Sequence, residues 1–341
     1  MKHWKLPALL IILALLIASC KSTPPHTRIL WPAKPDKPML EFIDAYASTE
    51  DFEKNFLDTI RTEVFPEPGV LLKLPFGISG DAADTIYVTD QEGIKSLNLS
   101  KKKFKLLIDR KEVRQPAGAA FGNNGLLYIA DGKNKKVAVM SPEGEILASF
   151  GSDKLFGKPS HLTINIFNGY IYVSDIAKHR IAAFDRDGGF LFFIGKPGNG
   201  PGEFAFPQGI AVSADNELYV ADMLNSRIQV FSPEGKFIRS FGRQGTDYRD
   251  FESPRDLAFG PDGNLYIVDF KKALLLTYSP DGTMLLATGN LNKSNHPLGF
   301  SAPASIHISN KGTIYITDMT NHRISVWQIL TKEYLDKHPI P

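Results

Sequence analysis

PQGIAV at 207–212, LYVAD at 218–222, RIQVF at 227–231, SPEG at 232–235 and KFIRSF at 236–241 follow one another with only short polar interruptions. The first run is continuously apolar after Gln208 and is too short for a helix, so it reads as a fully buried strand. Ala214-Asp215-Asn216 is turn chemistry, and Leu218 to Ala221 makes a second strand. After a loop at 222–226, Arg227 to Phe231 alternates as a third. Ser232-Pro233-Glu234-Gly235 has proline and glycine where a hairpin turn needs them, and Lys236 to Phe241 is a fourth strand closed by Gly242.

The unit recurs along the chain. An apolar-Tyr-apolar-x-Asp pattern ends at Asp90, Asp131, Asp175, Asp222, Asp269 and Asp318, each with a tyrosine three residues earlier, from Tyr87 to Tyr315. A proline opens each first run: Pro75, Pro116, Pro159, Pro207, Pro254 and Pro303. The SPEG turn returns at 141–144 and as SPDG at 279–282, and no segment of this region sustains helical periodicity. Four short antiparallel strands per unit make a sheet too apolar to stand alone. Stacking the units face to face and closing the stack buries those faces. The sequence predicts an all-β fold, a six-bladed β-propeller of four-stranded antiparallel blades.

PQGIAV, LYVAD and Asn225-Ser226-Arg227-Ile228 resemble the NHL repeat, which implies the same six-bladed ring. The first unit departs from it, with Gln91-Glu92-Gly93-Ile94 at the Asn-x-Arg-Ile step, and the fifth has Lys271-Lys272-Ala273-Leu274. The last unit lacks its fourth strand. Met39–Tyr46 (MLEFIDAY) resembles Gly235–Phe241 (GKFIRSF), so an N-terminal strand is expected to complete the sixth blade and close the ring. Phe52, Phe56 and Ile60 suggest a short helix over Glu50–Arg61.

The N-terminus is targeting sequence. Lys2 and Lys5 precede an apolar run from Leu6 to Ala18, too short to span a bilayer as a mature helix. The run ends in Leu16-Ile17-Ala18-Ser19-Cys20, which resembles the lipobox of bacterial lipoproteins. The resemblance implies cleavage before Cys20 and lipidation there; two or three acyl chains hold a protein durably, at about 0.8 kcal/mol per buried methylene. Lys21, where an aspartate would favour inner-membrane retention, leans the expectation to the outer membrane. The chain thus divides into a signal peptide (1–19), a lipidated cysteine and proline-rich tether (20–38), a closing strand and helix (39–74), six blades (75–330) and a C-terminal tail (331–341).

Composition narrows the function. Cys20 is the only cysteine, which excludes disulfides and Cys-based zinc sites. The formal charge is +2, and the two lysines of the signal peptide account for it, so nothing points to nucleic acid as a partner. The loops after the second strands share a face with the long connections 195–206, 242–253 and 289–302; that face is expected to carry function. The aspartates and Arg180, Arg227 and Arg323 lie there, and their sixfold repetition marks them as structural. Asymmetry appears two residues after each proline: Gly77, Gly118, His161, Gly209, Asp256 and Ser305, with His307 further along the last of these strands. His161, Asp256, Ser305 and His307 are therefore the candidate ligand or metal contacts at the channel mouth. Tyr248 and Arg249 are the candidate partner-binding loop, while Phe204, Phe206 and Phe251 are either exposed contacts or plugs between blades.

Two functions follow. One is a membrane-anchored, non-catalytic scaffold or ligand/protein-binding module of the bacterial cell envelope, without cofactor, whose partner is another envelope protein or an extracellular ligand. The alternative, implied by NHL-type and lactonase-like relatives, is a metal-dependent (zinc or calcium) hydrolase or lyase at the channel mouth. Zinc chemistry needs about three convergent ligands and an open position.

Overall fold

A computed structural model describes residues 28–48, 51, 71–290 and 293–340. Cys20 and, apart from residue 51, the expected helix over 50–61 lie outside these. Among the described residues there are six sheets, five of four strands and one of five, each antiparallel and in chain order from one edge to the other except where the ring closes. The first strands of the blades, beginning at Ile78, Pro116, Pro159, Pro207, Pro254 and Pro303, touch their neighbours in a closed circle that includes the first and the last. They line the channel.

Burial follows the expected gradient. All five residues of Leu218–Asp222 are buried, as are all of Leu127–Asp131, Ile171–Asp175 and Leu265–Asp269. These strands pack on both faces, which explains continuous apolar sequence rather than alternation. Each repeat tyrosine buries its ring and leads its hydroxyl to a polar partner. Tyr172 donates to the Pro233 carbonyl at 2.6 Å and Tyr219 to that of Pro280 at 3.0 Å, so a hairpin turn of one blade receives the tyrosine of the blade before it.

The long connections plug the gaps between blades. Phe156, Phe204, Phe251 and Phe300 are fully buried, and each ring lies against the aromatic on a third strand: Phe184, Phe231, Tyr278 and Trp327. Phe251 explains Gly242, whose φ is +88° and whose added Cβ would fall 2.3 Å from the ring. Phe204 and Phe251 are thus plugs rather than surface contacts.

The ring closes with the N-terminal strand. Leu40–Tyr46 pairs antiparallel with Arg323–Ile329, with Leu40 opposite Ile329 and Phe42 opposite Trp327. The Phe42 and Trp327 rings meet edge-on at 5.2 Å. One feature corrects the sequence reading: Ile29–Trp31, inside the segment taken as a spacer, is a fifth strand paired to Leu40–Phe42. A proline-rich composition disfavours a core, but Trp31 anchors this strand by donating its indole N–H to the Ala287 carbonyl at 2.8 Å. The C-terminal segment is also docked, through the helix Lys332–Lys337. Arg28 reaches both carboxylate oxygens of Glu41, at 2.8 and 2.7 Å, and Tyr334 donates to the same group at 3.0 Å.

A chain beginning at Ala47 should therefore open an apolar strand edge. Burying one large side chain contributes roughly 1.5–3 kcal/mol, and Leu40, Trp31 and Phe42 would all be lost. The thermal midpoint is expected to fall by on the order of 10 °C, and a synthetic peptide of residues 28–48 should recover most of the loss. An unchanged midpoint by differential scanning calorimetry would sink this account of closure.

Candidate functional site at the channel mouth

The six aspartates stand at or just after the ends of the second strands, and backbone amides and nearby side chains take up their oxygens. Asp131 accepts from the amides of Arg114, Gln115, Lys133 and Asn134, and Asp175 from those of Gly157, Lys158, Ala177 and Lys178. Each carboxylate ties the connection entering its blade to the turn that follows it. Arg227 adds an ion pair to Asp222 at 2.8 Å. In blade one the arginine is absent, and the fully buried Lys95 pairs with Asp90 at 2.6 Å instead. Arg323 donates to the carbonyls of Asn295, His296 and Gly299, holding the last connection. His179 and His322 accept from the amides of Phe206 and Leu74, each at the entry to the next blade.

Below these ties lies the ring two residues past each proline. Its glycines serve close backbone approach: a Cβ on Gly118 would lie 2.6 Å from His161 Cα, and one on Gly209 2.2 Å from Asp256 Oδ1. Asp256 and Ser305 are brought together. The Asp256 carboxylate accepts from Ser305 Oγ, from the Ile306 amide at 3.0 Å and from the Leu257 amide at 2.9 Å, joining blades five and six at the axis. Burial lifts its pKa to about 6. His161 has different neighbours. Its Nδ1 lies 3.2 Å from Ser160 Oγ, its ring is 5.4 Å from that of Phe76, and its buried Nε2 has no partner. His307 stacks on Tyr315, and a Cβ added to Gly80 would lie 2.6 Å from its Nε2. These four side chains line a chamber of about 270 Å³ inside the channel. Among the described residues no three His, Cys, Asp or Glu side chains converge as a metal site would require.

A second cavity of about 430 Å³ opens on the face of the long connections. Its residues were not singled out by sequence reasoning: Phe76, Ser160, Gln208 and Arg255, one position past the repeat prolines, with Lys158 and Arg110 beside them. The inner strands are bulged here; pairing shifts between Pro159 and Leu162, between Pro207 and Ile210, and between Pro254 and Asp256. A bulge re-aims side chains, so two successive positions reach the channel and strict alternation fails. The signal was present in sequence as the unlike set Phe76, Ala117, Ser160, Gln208, Arg255 and Ala304. Tyr248 and Arg249 stand on the Gly242–Ser253 connection, with Tyr248 exposed and Arg249 Nε 3.0 Å from its hydroxyl.

Two buried groups make stability depend on pH in opposite senses. Burial, and then the charge of Arg255, lower the His161 pKa from 6.5 to about 3. Between those values the unfolded chain binds a proton that the folded one refuses, so acidification below about pH 6.5 costs stability. Asp256 is raised from 3.8 to about 6, so the folded state takes up its proton first and loses stability as pH rises through that interval. His161→Gln should flatten the loss of denaturant midpoint between pH 6.5 and 4, and Asp256→Asn should steepen it. Parallel pH profiles for the wild type and both variants would contradict this assignment.

The fold has known counterparts. A structural-genomics protein of unknown function from Bacteroides thetaiotaomicron superposes with a TM-score of 0.62 at 17% identity, covering 76% of this chain and 70% of its own. Virginiamycin B lyase from Staphylococcus aureus gives 0.54 at 16%, covering 75% and 95%. A gluconolactonase from Xanthomonas campestris gives 0.58 at 14%, covering 91% and 100%. At these identities the likeness is one of fold. No curated protein matches the chain by sequence. A family model described as 6-bladed beta-propeller matches residues 152–218 and 212–323, half of the chain, and with the ring of six blades it makes the chain a member of that family, DUF5128.

Proposed function

We propose that this chain is a lipid-anchored, non-catalytic binding propeller of the bacterial cell envelope, built of NHL-type repeats and recognising its partner with the face of the long connections. The observation that carries the reading is the Tyr248–Arg249 pair. The guanidinium lies 5.1 Å from the tyrosine ring centre, and the loop beneath it is fixed from several sides. Phe251 plugs the blade gap, Arg243 pairs with Asp250 at 2.8 Å, and Tyr278 donates to the Arg249 carbonyl at 3.0 Å. A tyrosine and an arginine presented on an ordered loop bind with little entropy left to lose, and these residue types dominate interface hot spots.

Virginiamycin B lyase and the gluconolactonase share the fold, which keeps a metal-dependent lyase or hydrolase as the rival reading. Binding is favoured because the charge that acts on His161 is the cation Arg255, which disfavours a metal ion there. The anchor rests on the lipobox-like segment ending at Cys20, with the outer membrane as the preferred destination.

The reading is tested by pull-down from native membranes. Tyr248→Ala with Arg249→Ala should weaken capture at least tenfold, since hot-spot truncations cost about 2 kcal/mol or more, while thermal unfolding stays unchanged. Substitutions in the Ser232–Gly235 turn should leave capture intact. Capture lost with the turn and kept with the loop would assign the wrong face. For the anchor, Cys20→Ser should accumulate as unprocessed precursor or as soluble protein. A mature, membrane-bound Cys20→Ser product of unchanged mass would rule lipidation out.

A further inference from the structure

The mouth cavity contains an arginine whose hydrogen-bonding capacity is unused. Arg255 lies close to two phenylalanines, with its guanidinium carbon 4.6 Å from the Phe76 ring centre and 4.5 Å from that of Phe270. Both rings are within cation–π distance of the guanidinium, and they offer its N–H groups no acceptor atom. No described side chain or carbonyl accepts from them, and Nε is buried without a partner. Burial lowers the Arg255 pKa to about 10, against a smaller opposing pull from Asp256. Asp256 directs its oxygens to Ser305 and to the Ile306 and Leu257 amides, not to the guanidinium.

No carboxylate among the described residues forms an ion pair with Arg255, and the cavity around it is rich in positive charge. Lys158 and Arg110 line the same cavity. Its one acidic lining residue, Asp90, is neutralised by Lys95 and further occupied by the amides of Lys73, Glu92 and Gly93. Gln208 and Ser160 supply neutral polar groups, hydrogen-bonded to each other at 3.1 Å. Gln91 and Gln115 add two more neutral polar groups, and Leu74, Pro116, Ile176 and Phe206 supply apolar wall. A volume of about 430 Å³ suits a small organic molecule.

We propose that the channel mouth is a binding site for a small organic acid, with the carboxylate on the N–H edge of Arg255 and an apolar body against Leu74, Ile176 and Phe206. A planar fork held beside two aromatic rings matches a carboxylate with two parallel hydrogen bonds and loses little freedom on binding. The apolar wall separates this ligand from a bare inorganic anion. The site is distinct from the Tyr248–Arg249 rim and stands or falls without it.

The test is calorimetric titration of the full chain with benzoate, hexanoate, inorganic phosphate and benzamide. At least one carboxylate should bind saturably, more tightly than phosphate and at least tenfold more tightly than the neutral amide. Arg255→Gln should reduce carboxylate affinity tenfold or more, and Arg255→Lys, which keeps the charge without the fork, should lose several-fold. Tyr248→Ala with Arg249→Ala should leave it unchanged. In the wild type, benzoate should also shield Arg255 from phenylglyoxal, read by peptide mass, which needs no variant to fold. The proposal is overturned if neither carboxylate binds, if benzamide or phosphate binds as well, if affinity survives Arg255→Gln, or if Arg255 labels equally with and without benzoate.

Discussion

A carboxylate at the end of each second strand accepts amide hydrogens from two directions, and the face of the propeller is arranged around it. Asp131 and Asp175 each take four backbone N–H groups, about the full capacity of an ionised carboxylate. Hydrogen bonds to a charged group contribute about 1.5–3 kcal/mol each, and a buried carboxylate stripped of them would be strongly destabilising. The chain must therefore bring the preceding connection and the following turn to the same point in every blade. This fixes where the connections end, and hence where Phe204 and Phe251 enter the gaps between blades.

Such a repeated device also decides what remains for recognition. Groups that every blade needs are already satisfied, so selectivity falls to positions where the blades differ. At the axis these are Asp256 with Ser305, which join two blades, and Arg255, whose side chain makes no hydrogen bond among the described residues, beside Phe76. The charge balance at the mouth is set by partners some distance from it. Lys95 pairs with Asp90, and blade-to-blade hydrogen bonds occupy the Asp256 oxygens, so neither carboxylate hydrogen-bonds to the guanidinium.

The architecture was readable because sixfold repetition makes each weak local signal test the others. The tyrosine, the aspartate and the hairpin prolines each proved to have a mechanical task that one blade or its neighbour requires. The closing strand was legible for the same reason, as a fourth-strand sequence out of place. What escaped depended on single copies or on broken periodicity. Ile29–Trp31 looks like spacer until Trp31 finds the Ala287 carbonyl. Lys95 replaces an arginine at a shifted position, so the blade-one ion pair has no sequence counterpart elsewhere. Arg255 was overlooked because alternation assigns only every second residue to a channel, whereas the bulge after the proline brings two consecutive ones to it.

Closure by Leu40–Tyr46 gives the molecule an unusual relation between synthesis and completion. Leu40–Tyr46 is made early and its partner Arg323–Ile329 is the last strand among the described residues, so the sixth sheet stays unfinished until nearly the whole chain exists. Pairing segments so far apart carries a large loop-closure entropy and slows folding relative to the local hairpins within blades. Blades one to five form from contiguous sequence, and the ring becomes a ring only when the two distant strands of the sixth sheet pair. Arg28, Glu41 and Tyr334 gather those ends into one hydrogen-bonded cluster. Both termini act as a single clasp, and a chain shortened at either end leaves the same seam open.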